Sequence, residues 1–209
     1  MSLINPQVPF LPSAGKEFDA QQQNTLYNVL RLFFTQLAQF CSRLSSTVGA
    51  GYLQAPHGSF SSRVNQTPTA ANTAKLVALE VTDYSNEMHA VVGDGVHVDQ
   101  AGVYNYQFSL QFENSDTAEQ EATIWLKKNG TDFVYSSSQV TVAKKRSSNG
   151  YTLAAANFYV SLAAGDYVEM WWATTSTNVI LEASAAQTVP YARPGIPSVV
   201  VTMSFVSAL

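Results

Sequence analysis

Cysteine is nearly absent. The single Cys41 has no second thiol in the chain to pair with, which excludes an internal disulfide framework and a cysteine-built zinc site. No run of about eighteen consecutive apolar residues occurs, and the opening Met1-Ser2-Leu3-Ile4-Asn5-Pro6 lacks the charged-then-apolar pattern of an export signal. A soluble protein made without a leader, and no membrane insertion, is therefore expected. Positive charge is also scarce. Eleven Lys and Arg against fifteen Asp and Glu give a net charge of −4, the wrong sign for affinity built on neutralising phosphates, so nucleic acid is not an expected partner. Catalytic signatures are missing as well: no Gly-x-Ser-x-Gly elbow, no phosphate-cradling glycine loop, no His-Glu-x-x-His. His57, His89 and His97 are scattered; His97 and Asp99 would share a strand face with Asp94 upstream, but ordinary solvated residues at a sheet margin account for them. The expectation is a non-enzyme with no cofactor and no metal.

What is present falls into two unlike parts. Residues 3–14 carry three prolines among Leu3, Ile4, Val8, Phe10 and Leu11, which forbids regular helix and favours an extended arm. Val8, Phe10 and Leu11 are poor choices for a solvated tail, so they are candidate anchors onto another protein. From Glu17 to Ser46 there is neither proline nor glycine. Apolar residues recur at Leu26, Leu30, Phe33, Leu37, Phe40 and Leu44, in steps of four and three, which is a heptad seam. A second row at Tyr27, Phe34 and Cys41 widens the apolar face beyond what two strands cover, pointing to three or more helices together. An amphipathic helix folded back on its own domain is the alternative. Gly49 and Gly51 would end the helix and give a swivel.

Beyond Gly51 the apolar period becomes two. In 103–113, Tyr104, Tyr106, Phe108, Leu110 and Phe112 alternate with Asn105, Gln107, Ser109 and Gln111, one face for a core and one for solvent. Further strands read at 58–65, 75–82, 96–100, 122–128, 138–143, 151–162, 166–173, 178–184 and 198–207, with turn chemistry such as Lys128-Asn129-Gly130 between them. The fold predicted is mainly β, an antiparallel jelly-roll sandwich of about ten strands preceded by an extended arm and one coiled-coil-type helix. The domain plan is arm 1–16, helical stalk 17–48, linker 49–57 and head 58–209.

Charge and aromatics are patterned. Between Glu80 and Glu121 stand nine acids and no Lys or Arg, a stretch that could ligate calcium but lacks the alternating spacing of a dedicated loop. Lys144-Lys145-Arg146 is the one basic triplet. Trp125 falls opposite Ala122, Ile124 and Leu126, and Tyr167 and Trp171 fall opposite Val168, Met170 and Trp172. Large apolar residues on the outer face make Trp125, Tyr167 and Trp171 interface candidates; a sugar-stacking platform would use the same residues.

The segments Ala101-Gly102-Val103-Tyr104-Asn105-Tyr106-Gln107-Phe108-Ser109, Ile124-Trp125-Leu126-Lys127-Lys128-Asn129-Gly130, Asn157-Phe158-Tyr159-Val160-Ser161-Leu162, Gly165-Asp166-Tyr167-Val168-Glu169-Met170-Trp171 and Pro197-Ser198-Val199-Val200-Val201-Thr202 follow one another in a recognisable order. Over about residues 58–207 the chain resembles the complement-globular-head and tumour-necrosis-factor jelly roll, in the version common in structural proteins of tailed bacteriophages. More loosely, the Asn-Val-Leu-Arg-Leu-Phe-Phe run at 28–34 resembles the amino-terminal attachment segments of short phage fibres. The resemblance implies a homotrimer, with Leu26, Leu30, Phe33, Leu37, Phe40 and Leu44 in its stalk. It implies a structural protein at the virion surface, assembled in the host cytoplasm: a short fibre or knob held to another virion protein by its arm and presenting the head for host attachment. A host surface glycan or protein is the outward partner expected. The alternatives are head decoration without receptor binding, and a carbohydrate-binding or cytokine-like module.

Strand parity gives a further expectation. If both head termini lie at the base and each connection changes ends, loops 184–197 and 129–137 are distal and 143–150 is basal. Phe133, Tyr135, Tyr191 and Arg193 are then the distal contact candidates, and Lys144-Lys145-Arg146 faces the virion.

Overall fold

A computed structural model of the protein describes residues 9–11, 19–44 and 55–209. Val8, most of the arm, residues 17, 18 and 45–48 of the expected stalk, and Gly49 and Gly51 of the linker lie outside the described residues. The helix and the β-structure belong to separate compact units that divide at Ala55.

The helix, α1, is Ala20–Leu44. Asp19 caps it: its Oδ1 accepts the Gln21 N–H at 2.8 Å, satisfying one of the donors a helix start leaves open. Arg43 stands in the last turn, where a cation suits the helix dipole.

The second unit is an antiparallel sandwich of thirteen strands: β1 His57–Ser62, β2 Lys75–Leu76, β3 Val81–Asn86, β4 Met88–Val91, β5 Gly95–Val98, β6 Gly102–Asn114, β7 Gln120–Lys128, β8 Thr131–Asp132, β9 Ser138–Val142, β10 Gly150–Leu162, β11 Tyr167–Thr174, β12 Val179–Leu181 and β13 Val199–Ser207. One sheet runs β10-β6-β13-β1-β3, with β12 also on β6; the other runs β4-β5-β11-β7-β8, with β2 on β11 and β9 on β7. The jelly-roll expectation therefore holds. Of the three strands beyond the ten expected, β8 is only two residues long, too short for an alternation to register, and one arises because the expected 75–82 is split between β2 and β3. The other addition comes from 81–91, whose polar residues hide two strands joined at Glu87, where φ is +52°.

Local chemistry explains the tightest connections. Asn129 and Gly130 have φ of 50° and 76°, the left-handed pair that a two-residue hairpin between β7 and β8 requires. Gly150 opens β10 where a Cβ would overlap the Ala143 carbonyl oxygen and lie 2.5 Å from its carbon, so the backbones can pass only with glycine there. Between the sheets, Phe60, Tyr104, Tyr106, Leu110, Phe112 and Met203 from one meet Ile124, Leu126, Val168 and Trp172 from the other, all buried. Along β6 the burial alternates as its sequence predicts. The Tyr104 hydroxyl donates to the Gln100 carbonyl at 2.7 Å. Tyr106 finds no partner for its hydroxyl, and burial pushes its ionisation upward.

The strand registers correct the parity expectation. One end of the sandwich holds Ala55–Pro56 and the last residues of β13, with Phe205 N–H donating to the Pro56 carbonyl at 2.9 Å. Lys128 Nζ reaches the Ser161 carbonyl at 2.8 Å, and Leu162 pairs with Gly102, so loops 129–137 and 163–166 also lie at this entry end. The opposite end gathers 115–119, 143–149, 175–178 and 182–198: Gly150 pairs with Asn114, Lys145 N–H donates to the Asp116 carbonyl, and Ser115 N–H to that of Asn178. Phe133 and Tyr135 are thus at the entry end, not distal. Lys144-Lys145-Arg146 shares the far end with Tyr191 and Arg193. The count fails at β12. That strand reaches along just the last three residues of β6, Val179 with Asn114 through Leu181 with Phe112, and bridges Gln66 at Leu181, so the chain does not cross between 175–178 and 182–198.

Candidate functional site

On α1 no residue is buried. Leu26, Leu30, Phe33, Leu37, Phe40 and Leu44 are half-buried. Tyr27, Leu32 and Phe34 are 57–60% exposed, and Cys41 is exposed. Polar groups beside the stripe close on the helix itself: Gln23 Nε2 donates to Tyr27 Oη at 2.8 Å, and Thr35 Oγ1 to the Arg31 carbonyl at 2.8 Å. Only Arg31 and Arg43 among residues 20–44 are charged, so no acid–base pairs along the flanks set a partner's register. In the arm, Phe10 is 93% exposed and Leu11 is exposed.

The structure brings Trp125, Tyr167 and Trp171 onto one outer face, as expected, but covers them with their own chain. Trp171 pairs in register with Trp125 on one side and Leu76 on the other, and Lys127 Nζ sits 4.5 Å from its ring centroid. Tyr167 stacks on His97 at 4.8 Å, and His97 on His89 at 5.2 Å. Asp94 Oδ2 is 2.8 Å from His97 Nε2, and Asp99 Oδ1 is 3.7 Å from His89 Nδ1. Burial raises the Tyr167 hydroxyl's ionisation, with Asp94 and Glu169 adding to it. All three aromatics are half-buried, so much of their apolar area is already spent.

The opposite sheet carries a face that the sequence reading missed. Tyr151, Leu153 and Tyr159 alternate along the outer side of β10, which is an edge strand, and are 49%, 64% and 62% exposed. The signal was legible: 151–162 is apolar at both parities, and an edge strand with an apolar outer row is a template for association. Tyr84, at the other edge, is exposed and lies 5.9 Å from the His57 ring.

Loop residues divide. Phe133 is partly buried against the core, whereas Tyr135 is 97% exposed with φ of +63°, a conformation a bulky side chain seldom holds. Tyr191 is exposed. Arg193 is engaged, its Nη2 donating to Ser184 Oγ at 3.2 Å and its Nη1 to the Pro194 carbonyl at 3.2 Å. The acids of 80–121 are dispersed, and among the described residues no three His, Cys, Asp or Glu side chains converge as a metal site would need.

At the entry end Asp166 ties two turns together. Oδ2 meets Lys128 Nζ and the Ala163 N–H, each at 2.8 Å, while Oδ1 accepts from Asn129 Nδ2 at 2.7 Å. The Lys128 hydrogen bond dominates over burial and, with Asn129 and Ala163, holds the carboxyl's pKa down to about 2. A depressed acid stabilises the folded state above its unfolded value and loses that contribution as pH falls through its folded one. Asp166→Asn is expected to cost about 1 kcal/mol at neutral pH. The gap to wild type should close between about pH 4 and pH 2. Urea titrations across that range check both.

No protein-family model matches the chain, and no curated protein matches it in sequence.

Proposed function

We propose that the chain is a non-enzymatic, homotrimeric structural protein of a tailed-phage virion, a short fibre or knob anchored by its N-terminal arm and presenting the head for host attachment. The observation that carries this reading is a capped 25-residue helix with a continuous heptad stripe and no buried residue. A helix of that length gains little from its own propensity, and a stripe of leucine and phenylalanine left in water asks for copies of itself. The exposed row Tyr151-Leu153-Tyr159 on edge strand β10 offers the head a second self-association surface. The arm's exposed Phe10 and Leu11 suit docking onto another virion protein. Tyr191, at the end away from Ala55, is the outward contact this reading favours.

The test is a deletion of residues 3–14 in the phage that encodes the chain. The expected outcome is a folded protein with an unchanged number of chains per particle in solution that no longer enters virions. Normal incorporation would remove the arm's anchoring role.

A further inference from the structure

A groove of about 600 Å³ lies on the outer face of the β13-β1-β3 edge, walled by loop 183–197. Val200, Ile196 and Pro197 give its lining an apolar part, and Ser61, Arg63 and Asp83 a polar one. The wall is built before any ligand arrives. Ser184 and Ile196 exchange backbone hydrogen bonds at 2.9 and 2.8 Å, Gln187 and Arg193 do so at 3.1 and 2.9 Å, and the Ala183 N–H donates to Asn65 Oδ1 at 2.8 Å. Gly195 fits against this ladder closely, since a Cβ there would meet the Ser184 carbonyl oxygen at 3.1 Å.

Ser61 is 3% exposed, and its hydroxyl has no hydrogen-bond partner. A buried hydroxyl left unpaired costs free energy, so its presence on a groove wall needs a reason that folding does not supply. Beside it, Arg63 Nη2 donates to Asp83 Oδ1 at 2.8 Å, and Ser59 Oγ to Asp83 Oδ2 at 3.4 Å. The Arg63 backbone N–H is taken by Glu80 Oε1 at 2.5 Å. The guanidinium's other N–H groups and the remaining carboxylate lone pairs stay available as neighbouring donors and acceptors.

That inventory selects a ligand class. Arg63 is neutralised by Asp83, with Glu80 close by, so the groove has no surplus positive charge for a phosphate or carboxylate. No aromatic ring lines it, so a stacked base has no platform. A donor beside an acceptor matches a vicinal diol, whose hydroxyls each give and take one hydrogen bond, and the apolar lining of Val200, Ile196 and Pro197 suits the C–H face of a sugar ring. We propose that the groove between β1, β3 and loop 183–197 binds a neutral pyranose residue through the Arg63–Asp83 pair and the unpartnered Ser61 hydroxyl. This site stands on the head alone and depends on neither the trimer nor the virion assignment.

The test is saturation-transfer NMR on the full-length protein with the methyl α-glycosides of glucose, galactose, mannose and N-acetylglucosamine, which between them present cis and trans vicinal diols. At least one is expected to receive saturation from the wild type. Asp83→Asn should abolish the signal. Ser61→Ala should weaken binding about threefold to tenfold while leaving the melting temperature unchanged or higher, because it deletes a hydroxyl that bonds to nothing in the free protein. Silence from all four glycosides, or transfer undiminished in both variants, would overturn the site. So would a changed oligomer mass in Ser61→Ala, which would make the groove a contact between copies. The readout is sugar binding rather than particle entry, so this failure and that of the assembly reading are separable.

Discussion

Trp172→Ala is expected to destabilise the head by about 3–5 kcal/mol, most of what holds a domain of ordinary stability folded. Trp172 is fully buried on β11 and packs across the sandwich, its ring centroid 6.0 Å from that of Phe112. Removing an indole there leaves a cavity that two hydrogen-bonded sheets cannot close around. Trp172→Phe should cost much less than usual for such a change, because Nε1 has no hydrogen-bond partner and its loss relieves an unpaired buried donor. Urea unfolding followed by far-ultraviolet circular dichroism gives both values. Equal losses in the two variants would mean that the indole nitrogen is satisfied in the folded protein.

The second large effect belongs to the helix. Leu37→Asp, or Phe33→Asp, places a carboxylate in the middle of the heptad stripe, where in a trimer three of them would have to leave water without partners. Helix association should weaken by at least about a hundredfold. In circular dichroism at 222 nm the helical melt should vanish, while the head keeps its own transition, since it has a buried core of its own running from Phe60 to Met203. Gln39→Asp, on an exposed position of the same helix, is the control and should leave the helical melt in place. A helical melt that survives Leu37→Asp would show that the stripe is not a shared seam.

The sandwich was legible where one face is core and the other is not. Tyr104 to Phe112 on β6 alternate cleanly, and so do Ala122, Ile124 and Leu126 on β7, because burial itself has period two. It was illegible where burial is shared unevenly. In β3, Val81–Asn86 is exposed or half-exposed along its whole length, so its membership in a sheet rests on backbone pairing with β1, which leaves no apolar imprint. Loop 184–197 was placed at the correct end, but the loops counted back from it were inverted for a topological reason: three residues of β12 look like a crossing strand in sequence but only cover the end of β6. The Arg63–Asp83 pair and Ser61 were invisible for another. Asp83 stands twenty-odd positions from Ser61, and only the β1–β3 register and loop 183–197 bring them to one groove.

The heptad stripe also left its partner number open in sequence, and none of the described residues of α1 is buried. The most direct test of the assembly is the mass of the full-length protein by light scattering at micromolar concentration. The account predicts three times the mass of one chain, and a single-chain mass would contradict it.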